Sequence, residues 1–261
     1  MNTNVRLGSL AVAGLLCAVG AVFLLPSTST VQEATALNAD RVPLELVLLV
    51  DTSGSVDANE YNLQKQGYVD AFRDPVVQQR IVDVGGIAVT YIEWSNADHQ
   101  NTRVDWTKLV TAEDCDEFSN DISLIGRTTQ GYTMVAPALQ YAAMEIANNN
   151  YDSLKWVIDV SGDGVGQNWD FHVNGNKKND SDDADFYGTP WNSVLAAMPA
   201  GDSQINGICI TTDQEVIDFY TDVLPQGDGA FMMQVDDFDE FGAAIREKLL
   251  REITAMPSVY D

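Results

Sequence analysis

Five consecutive residues, Asp51-Thr52-Ser53-Gly54-Ser55, set one carboxylate and two hydroxyls at alternate positions of a short loop. Gly54 gives the backbone room to turn these groups towards a common point. Hard oxygen donors converging in this way suit Mg²⁺ or Mn²⁺, which favour near-octahedral oxygen shells and retain some water. The same residues also read as a turn capped by Asp51 and Ser53, with Ser55 or Asp57 capping the helix that follows. Taken alone, the five leave the two readings level. Two distant oxygen donors separate them: Thr133 opens a helix in Gly131-Tyr132-Thr133-Met134-Val135-Ala136-Pro137, and Asp163 ends a strand in Ile158-Asp159-Val160-Ser161-Gly162-Asp163-Gly164. In an open parallel sheet, ligands bind beyond the carboxyl ends of the strands where strand order reverses. Three loops at that edge would bring Asp51, Ser53, Ser55, Thr133 and Asp163 into one metal site.

The elements needed to position them are legible. Leu44 to Val50 is almost continuously apolar, as a strand covered on both faces must be, and it ends at Asp51. Gly86 to Trp94, Trp156 to Val160, Ile205 to Ile210 and Ala230 to Val235 repeat that pattern, and Arg103 to Trp106 reads as a short edge strand. Between them, helical spacing runs over Ala58 to Phe72, where Asp74-Pro75 stops it, and over Ala112 to Leu124. It returns through Pro137 to Ala147, Asp213 to Val223 and Phe238 to Ile253. Strand and helix alternating along the chain predict an α/β fold, a doubly wound, mostly parallel sheet with one antiparallel edge strand. The stretch from Gly166 to Thr189 is too rich in Asn, Asp, Gly and Lys for a core and reads as an inserted surface loop. Its acids lack the glycine and terminal glutamate of an EF-hand loop, so a solvated loop is the reading preferred to a calcium site.

The 261 residues carry 39 acids against 14 Lys plus Arg, a net charge of −25. That balance repels phosphate backbones and anionic headgroups, which argues against nucleic-acid binding and against docking on a membrane through a basic patch. At the amino terminus, Arg6 precedes an apolar run from Leu7 to Leu25, and Ala34-Thr35-Ala36 offers a cleavage site. Residues 1–36 are therefore read as an export signal, with retention as a membrane anchor the alternative, since the run approaches the ~20 residues that span a bilayer. A linker at 37–42, a domain at 43–254 and a tail at 255–261 complete the expected organisation. Export permits a disulfide between Cys115 and Cys209, but Cys209 in an apolar strand reads as a buried free thiol.

The three-part pattern resembles the von Willebrand factor A (vWA) domain, whose metal-ion-dependent adhesion site combines D-x-S-x-S with a distant Thr and a distant Asp in this order. The resemblance covers Pro43 to Ile253, and is nearest to a group of exported bacterial single-domain proteins, carried by Val50 to Asp57, Gly85 to Ser95, Ile158 to Gly164 and Asp236-Asp237-Phe238. It implies that Ser53, Ser55 and Thr133 bind the metal directly and that Asp51 and Asp163 act mainly through water. It also implies an open coordination position filled by an acidic side chain of a protein partner. Two departures stand out: the Met134 to Pro137 sequence after the Thr, and the insertion soon after Asp163.

Catalysis finds no assembled set of groups in the sequence. An aspartic protease would need a second copy of its motif, and Ser53 interrupts the D-T-G order. Ser161 lacks a nucleophile elbow, and the two histidines, His99 and His172, fall in polar segments. The remaining alternative is structural, with a metal that only stabilises its loops. An exported, non-enzymatic, cation-dependent interaction module is the expectation.

Overall fold

The computed structural model describes residues 40–128, 130–165 and 191–255. The export segment, the inserted loop, His172, Trp169 and the tail from 256 onward lie outside the described residues. Six strands form one sheet: β1 (Asp40–Asp51), β2 (Ile87–Trp94), β3 (Gln100–Leu109), β4 (Tyr151–Gly162), β5 (Asp202–Ile210) and β6 (Met232–Val235). Their order is β3-β2-β1-β4-β5-β6, parallel throughout except for the antiparallel β2–β3 pair. Strand order therefore reverses between β1 and β4, and the crevice beyond their carboxyl ends is the place where such sheets bind ligands.

Among the described residues seven helices cover the faces: α1 (Ala58–Arg73), α2 (Pro75–Asp83), α3 (Ala112–Leu124), α4 (Val135–Asn148), α5 (Trp191–Ala197), α6 (Gln214–Asp222) and α7 (Phe241–Thr254). Period-two alternation divides β1 between two cores. Leu44, Leu46, Leu48 and Val50 pack with Tyr68, Phe72, Phe118 and Phe241 beneath α1, α3 and α7. Val47 and Leu49 pack with Leu139, Ala142, Phe219 and Trp94 beneath α4 and α6. With both faces covered, β1 can be almost wholly apolar without exposing anything. Cys115 and Cys209 are both buried free thiols.

Three expectations need correction. Asp74-Pro75 does not end helical structure; it ends α1 and starts α2. The Asp74 carboxylate accepts from the backbone N–H groups of Val76 and Val77, and Pro75 occupies the first helical position, where a missing N–H costs nothing. The edge strand is ten residues long, because its pairing with β2 is continued through register shifts that periodicity alone does not reveal. The last helix begins at Phe241, not Phe238: Asp237 accepts from Asp239 N–H in a turn that precedes it.

Candidate metal site at the strand-order reversal

Asp51 is the last residue of β1, and the chain turns sharply after it. Thr52 is pinned to the end of β2, its N–H donating to the Trp94 carbonyl at 2.8 Å and its hydroxyl to the same oxygen at 3.0 Å. The Asp51 carboxylate accepts the Ser53 N–H at 2.7 Å, which curls the loop back over its own strand. Immediately afterwards Asp57 and Glu60 form a reciprocal capping box, so α1 starts at a fixed point and the loop has no slack.

The Thr133 segment is tied to this loop through the backbone, with Gly54 N–H donating to the Gly131 carbonyl at 2.7 Å. Asn96 occupies the space a side chain at 131 would need, since a Cβ there would lie 2.2 Å from Asn96 Oδ1, and that oxygen accepts the Tyr132 N–H. The third contribution comes from β4, which ends at Gly162. A Cβ at 162 would lie 2.9 Å from Asp51 Oδ2 and 2.7 Å from the Tyr220 hydroxyl, so only glycine lets β4 run past the Asp51 carboxylate.

These supports bring all five predicted residues together. Ser53 Oγ lies 3.1 Å from Ser55 Oγ, the Thr133 hydroxyl donates to Ser53 Oγ at 3.0 Å, and the Ser55 hydroxyl donates to Asp163 Oδ1 at 2.7 Å. Asp51 and Ser53 are fully buried. Asp51 Oδ2 is buried with no hydrogen-bond partner among the described residues. Burial holds the Asp51 carboxyl well above the usual carboxylate range, and the nearby Asp163 charge raises it further against the pull of the Ser53 N–H. Asp163 is raised by burial as well, against the Ser55 hydrogen bond that lowers it.

Among the described residues no group of three or more His, Cys, Asp and Glu could hold a metal. The donors here are instead three hydroxyls and two carboxylates, a hard-oxygen set that fits Mg²⁺ or Mn²⁺ and would suit a soft metal poorly. The orphaned Asp51 oxygen and the remaining repulsion between two acids are what a divalent cation would remove. The residues present therefore fit the group.

Spacing in the sequence did not reveal the supporting shell. Arg127 donates from one guanidinium nitrogen to the carbonyls of Thr52 (2.9 Å) and Ser53 (2.7 Å), and its charge lowers both carboxyls. Gln64 donates to the Asp51 carbonyl at 2.9 Å. Glu93, fully buried on β2, accepts from the Tyr61 hydroxyl and pairs with Arg103, which reaches on to the Gly126 carbonyl and the Thr128 hydroxyl. The stretch leading to Thr133 is thus held from β2 and β3. Its one legible signal is the rarity of basic residues in so acidic a chain.

Comparison with known proteins agrees with this architecture. A family model described as "Protein of unknown function (DUF1194)" matches residues 41–257. No curated protein matches the sequence. Among solved structures, proximal thread matrix protein 1 from the mussel byssus is 14% identical with a TM-score of 0.53, over 82% of this chain and 46% of that one. The pilus adhesin of Lactobacillus rhamnosus GG is 16% identical with a TM-score of 0.51, over 81% and 30%. A von Willebrand factor type A protein from Catenulispora acidiphila is 11% identical with a TM-score of 0.51, over 81% and 43%. The chain spans less than half the length of each of these proteins. At such identities the likeness is one of fold, and the fold is vWA-like.

Proposed function

The chain belongs to the family described as protein of unknown function (DUF1194), and from that premise we propose that this vWA-like module binds one divalent cation, Mg²⁺ or Mn²⁺, and uses it to hold a carboxylate of a protein partner. The observation that carries the reading is the convergence of Asp51, Ser53, Ser55, Thr133 and Asp163 from three loops at the strand-order reversal, around an Asp51 oxygen with no partner among the described residues. Ser53, Ser55 and Thr133 would hold the ion directly, with Asp51 and Asp163 orienting its water. When bound, the cation supplies an electrophilic position that an incoming carboxylate can complete. The chain's own residues do the rest. Gly162 and the Ser53 N–H orient Asp51, Arg127 fixes the loop through its carbonyls, and Asn96 holds the Thr133 segment in reach.

A non-enzymatic role is part of the proposal. It is supported by the engagement of the hydroxyls with one another and with Asp163, rather than with a general base. His99 is partly exposed and its ring neighbour is Asn96. Export is proposed from the amino-terminal segment. A pilus adhesin and a thread matrix protein of the mussel byssus among the structural neighbours are compatible with it, and no helix of the described residues is long and apolar enough to cross a membrane.

Calorimetric titration of the full chain with Mg²⁺ and with Mn²⁺, beside Asp51→Ala and Thr133→Ala, tests the site. One ion bound by the wild type and lost in both variants supports it, whereas binding that survives both variants puts the ion elsewhere. The carboxylate step is read separately, as cation-dependent retention on a surface of Glu-bearing peptide against the matched Gln-bearing peptide. Equal retention on the two surfaces overturns that step and leaves the cation site standing.

A further inference from the structure

At the opposite end of the sheet, the amino-terminal ends of β4 and β5 and the last turns of α7 border a cavity of about 310 Å³. Two of the charged groups lining it are unmet. Lys155 of β4 keeps only 6% of its surface exposed and makes no hydrogen bond or ion pair among the described residues. Glu252 of α7 spends one carboxylate oxygen on Lys248 and Asn206, while Oε2 is buried without a partner among the described residues. Glu252 Oε2 is costly to leave buried and alone, the Lys155 side chain lines the same cavity without an acid of its own among the described residues, and the two groups are not paired with each other.

The rest of the lining says what could satisfy both. Asp202, the register neighbour of Lys155 on β5, and Asp228 add negative charge, while Arg251 lies 3.6 Å over the Phe231 ring. An inorganic anion would meet three acids, and a simple cation would meet Lys155 and Arg251. A ligand carrying both charges satisfies each side and leaves the net charge of the cavity unchanged. The volume lies at the small end of ligand sites, the size of a metabolite rather than a polymer. We propose that this cavity binds a small zwitterion of the α-amino acid class, its carboxylate on Lys155 and its ammonium on Glu252 Oε2 with Asp202 and Asp228. The site is separate from the metal loops and does not depend on their reading.

The test is calorimetric titration of the full chain with glycine, L-alanine, L-serine and L-glutamine, each alone, with acetate and methylammonium as single-charge controls. The expected result is saturable binding of at least one amino acid with a Kd of about 1 mM or below, no saturation by either control, and a loss of about tenfold or more in Lys155→Met and in Glu252→Gln. No saturation by any of the four overturns the proposal, and so does acetate binding as well as the amino acids, or affinity unchanged in Lys155→Met. Lys155 has no partner whose loss could unfold the chain, so that variant carries the test even if Glu252→Gln folds poorly. Its Mg²⁺ titration should match the wild type, which keeps failure here distinct from failure of the cation site.

Discussion

Two pairs of carboxylates lie on β4 and just past its end, and they are treated differently. Within the strand, Asp159 shares Lys248 with Glu252 of α7, at 2.5 Å and 2.6 Å, and all three side chains are buried. Just past its end, Asp163 lies near Asp51 with no ammonium paired to either among the described residues; Arg127 directs hydrogen bonds to the backbone of the loop. The first pair is bridged by the chain's own cation, although Glu252 Oε2 and both Asp159 oxygens make no hydrogen bond among the described residues. The second has no such bridge among the described residues: a hydroxyl holds Asp163, a backbone N–H holds Asp51, and Asp51 Oδ2 is unmet. Among the described residues a lysine stands beside the acids in one region and none in the other, which on the proposed function leaves the second for a foreign ion.

The largest effect should come from breaking the bridged pair. Lys248→Met leaves Asp159 and Glu252 buried without their cation and should cost about 3–5 kcal/mol by chemical denaturation. A loss below about 1 kcal/mol would mean the lysine is dispensable and the contrast empty. The pH dependence of the same cluster is next. Burial lifts the Asp159 carboxyl to about 7 despite the pull of Lys248, so the folded state holds that proton more tightly than the unfolded chain, whose carboxyl titrates near ~4. Its contribution to stability is therefore complete below the unfolded value and is lost as pH rises towards neutral, with a slope of at most about 1.4 kcal/mol per pH unit for one proton. Asp159→Asn should flatten that part of the stability profile; an unchanged slope would assign it to other groups.

Much of this organisation is legible in the sequence, and what escapes does so for physical reasons. β1 and β4 announce themselves because strands covered on both faces must be apolar, and the five residues of the candidate site because a hard-oxygen donor set needs side chains of fixed type at fixed spacing. Arg127, Gln64 and Asn96 escape because they act on backbone atoms, which leaves them free to sit anywhere that reaches. Lys248 escapes because a lysine in a helix reads as solvent-facing, and its burial depends on two acids brought to it by other parts of the chain and its own helix. The helix α2 escapes because Asp74-Pro75 is both a stop and a start, and only the following N–H groups tell which.

A steric change sharpens the contrast at the unbridged pair. Gly162→Ala puts a methyl group against Asp51 Oδ2 and the Tyr220 hydroxyl, at 2.9 Å and 2.7 Å. Overpacking of this kind costs about 1–3 kcal/mol, and because the displaced group is the Asp51 carboxylate, cation affinity should fall with it. Stability lost with Mg²⁺ affinity intact would show that Asp51 does not orient the ion.

The smallest expected effect is the most discriminating, because its sign is opposite to that of Lys248→Met. Asp51→Asn keeps an oxygen for the Ser53 N–H and removes the titratable carboxyl that burial and the Asp163 charge disfavour in its ionised form. In metal-free buffer near neutral pH the variant should gain roughly 1 kcal/mol, read by denaturation in the presence of a chelator. Adding Mg²⁺ should stabilise the wild type and not the variant, since only a chain that binds the ion in its folded state gains from it. A functional site carries such a cost in its empty form and recovers it on binding; a purely structural carboxylate does not. If Asp51→Asn instead destabilises the metal-free chain by as much as Lys248→Met does, both pairs are structural supports and the unbridged one has no ion to wait for.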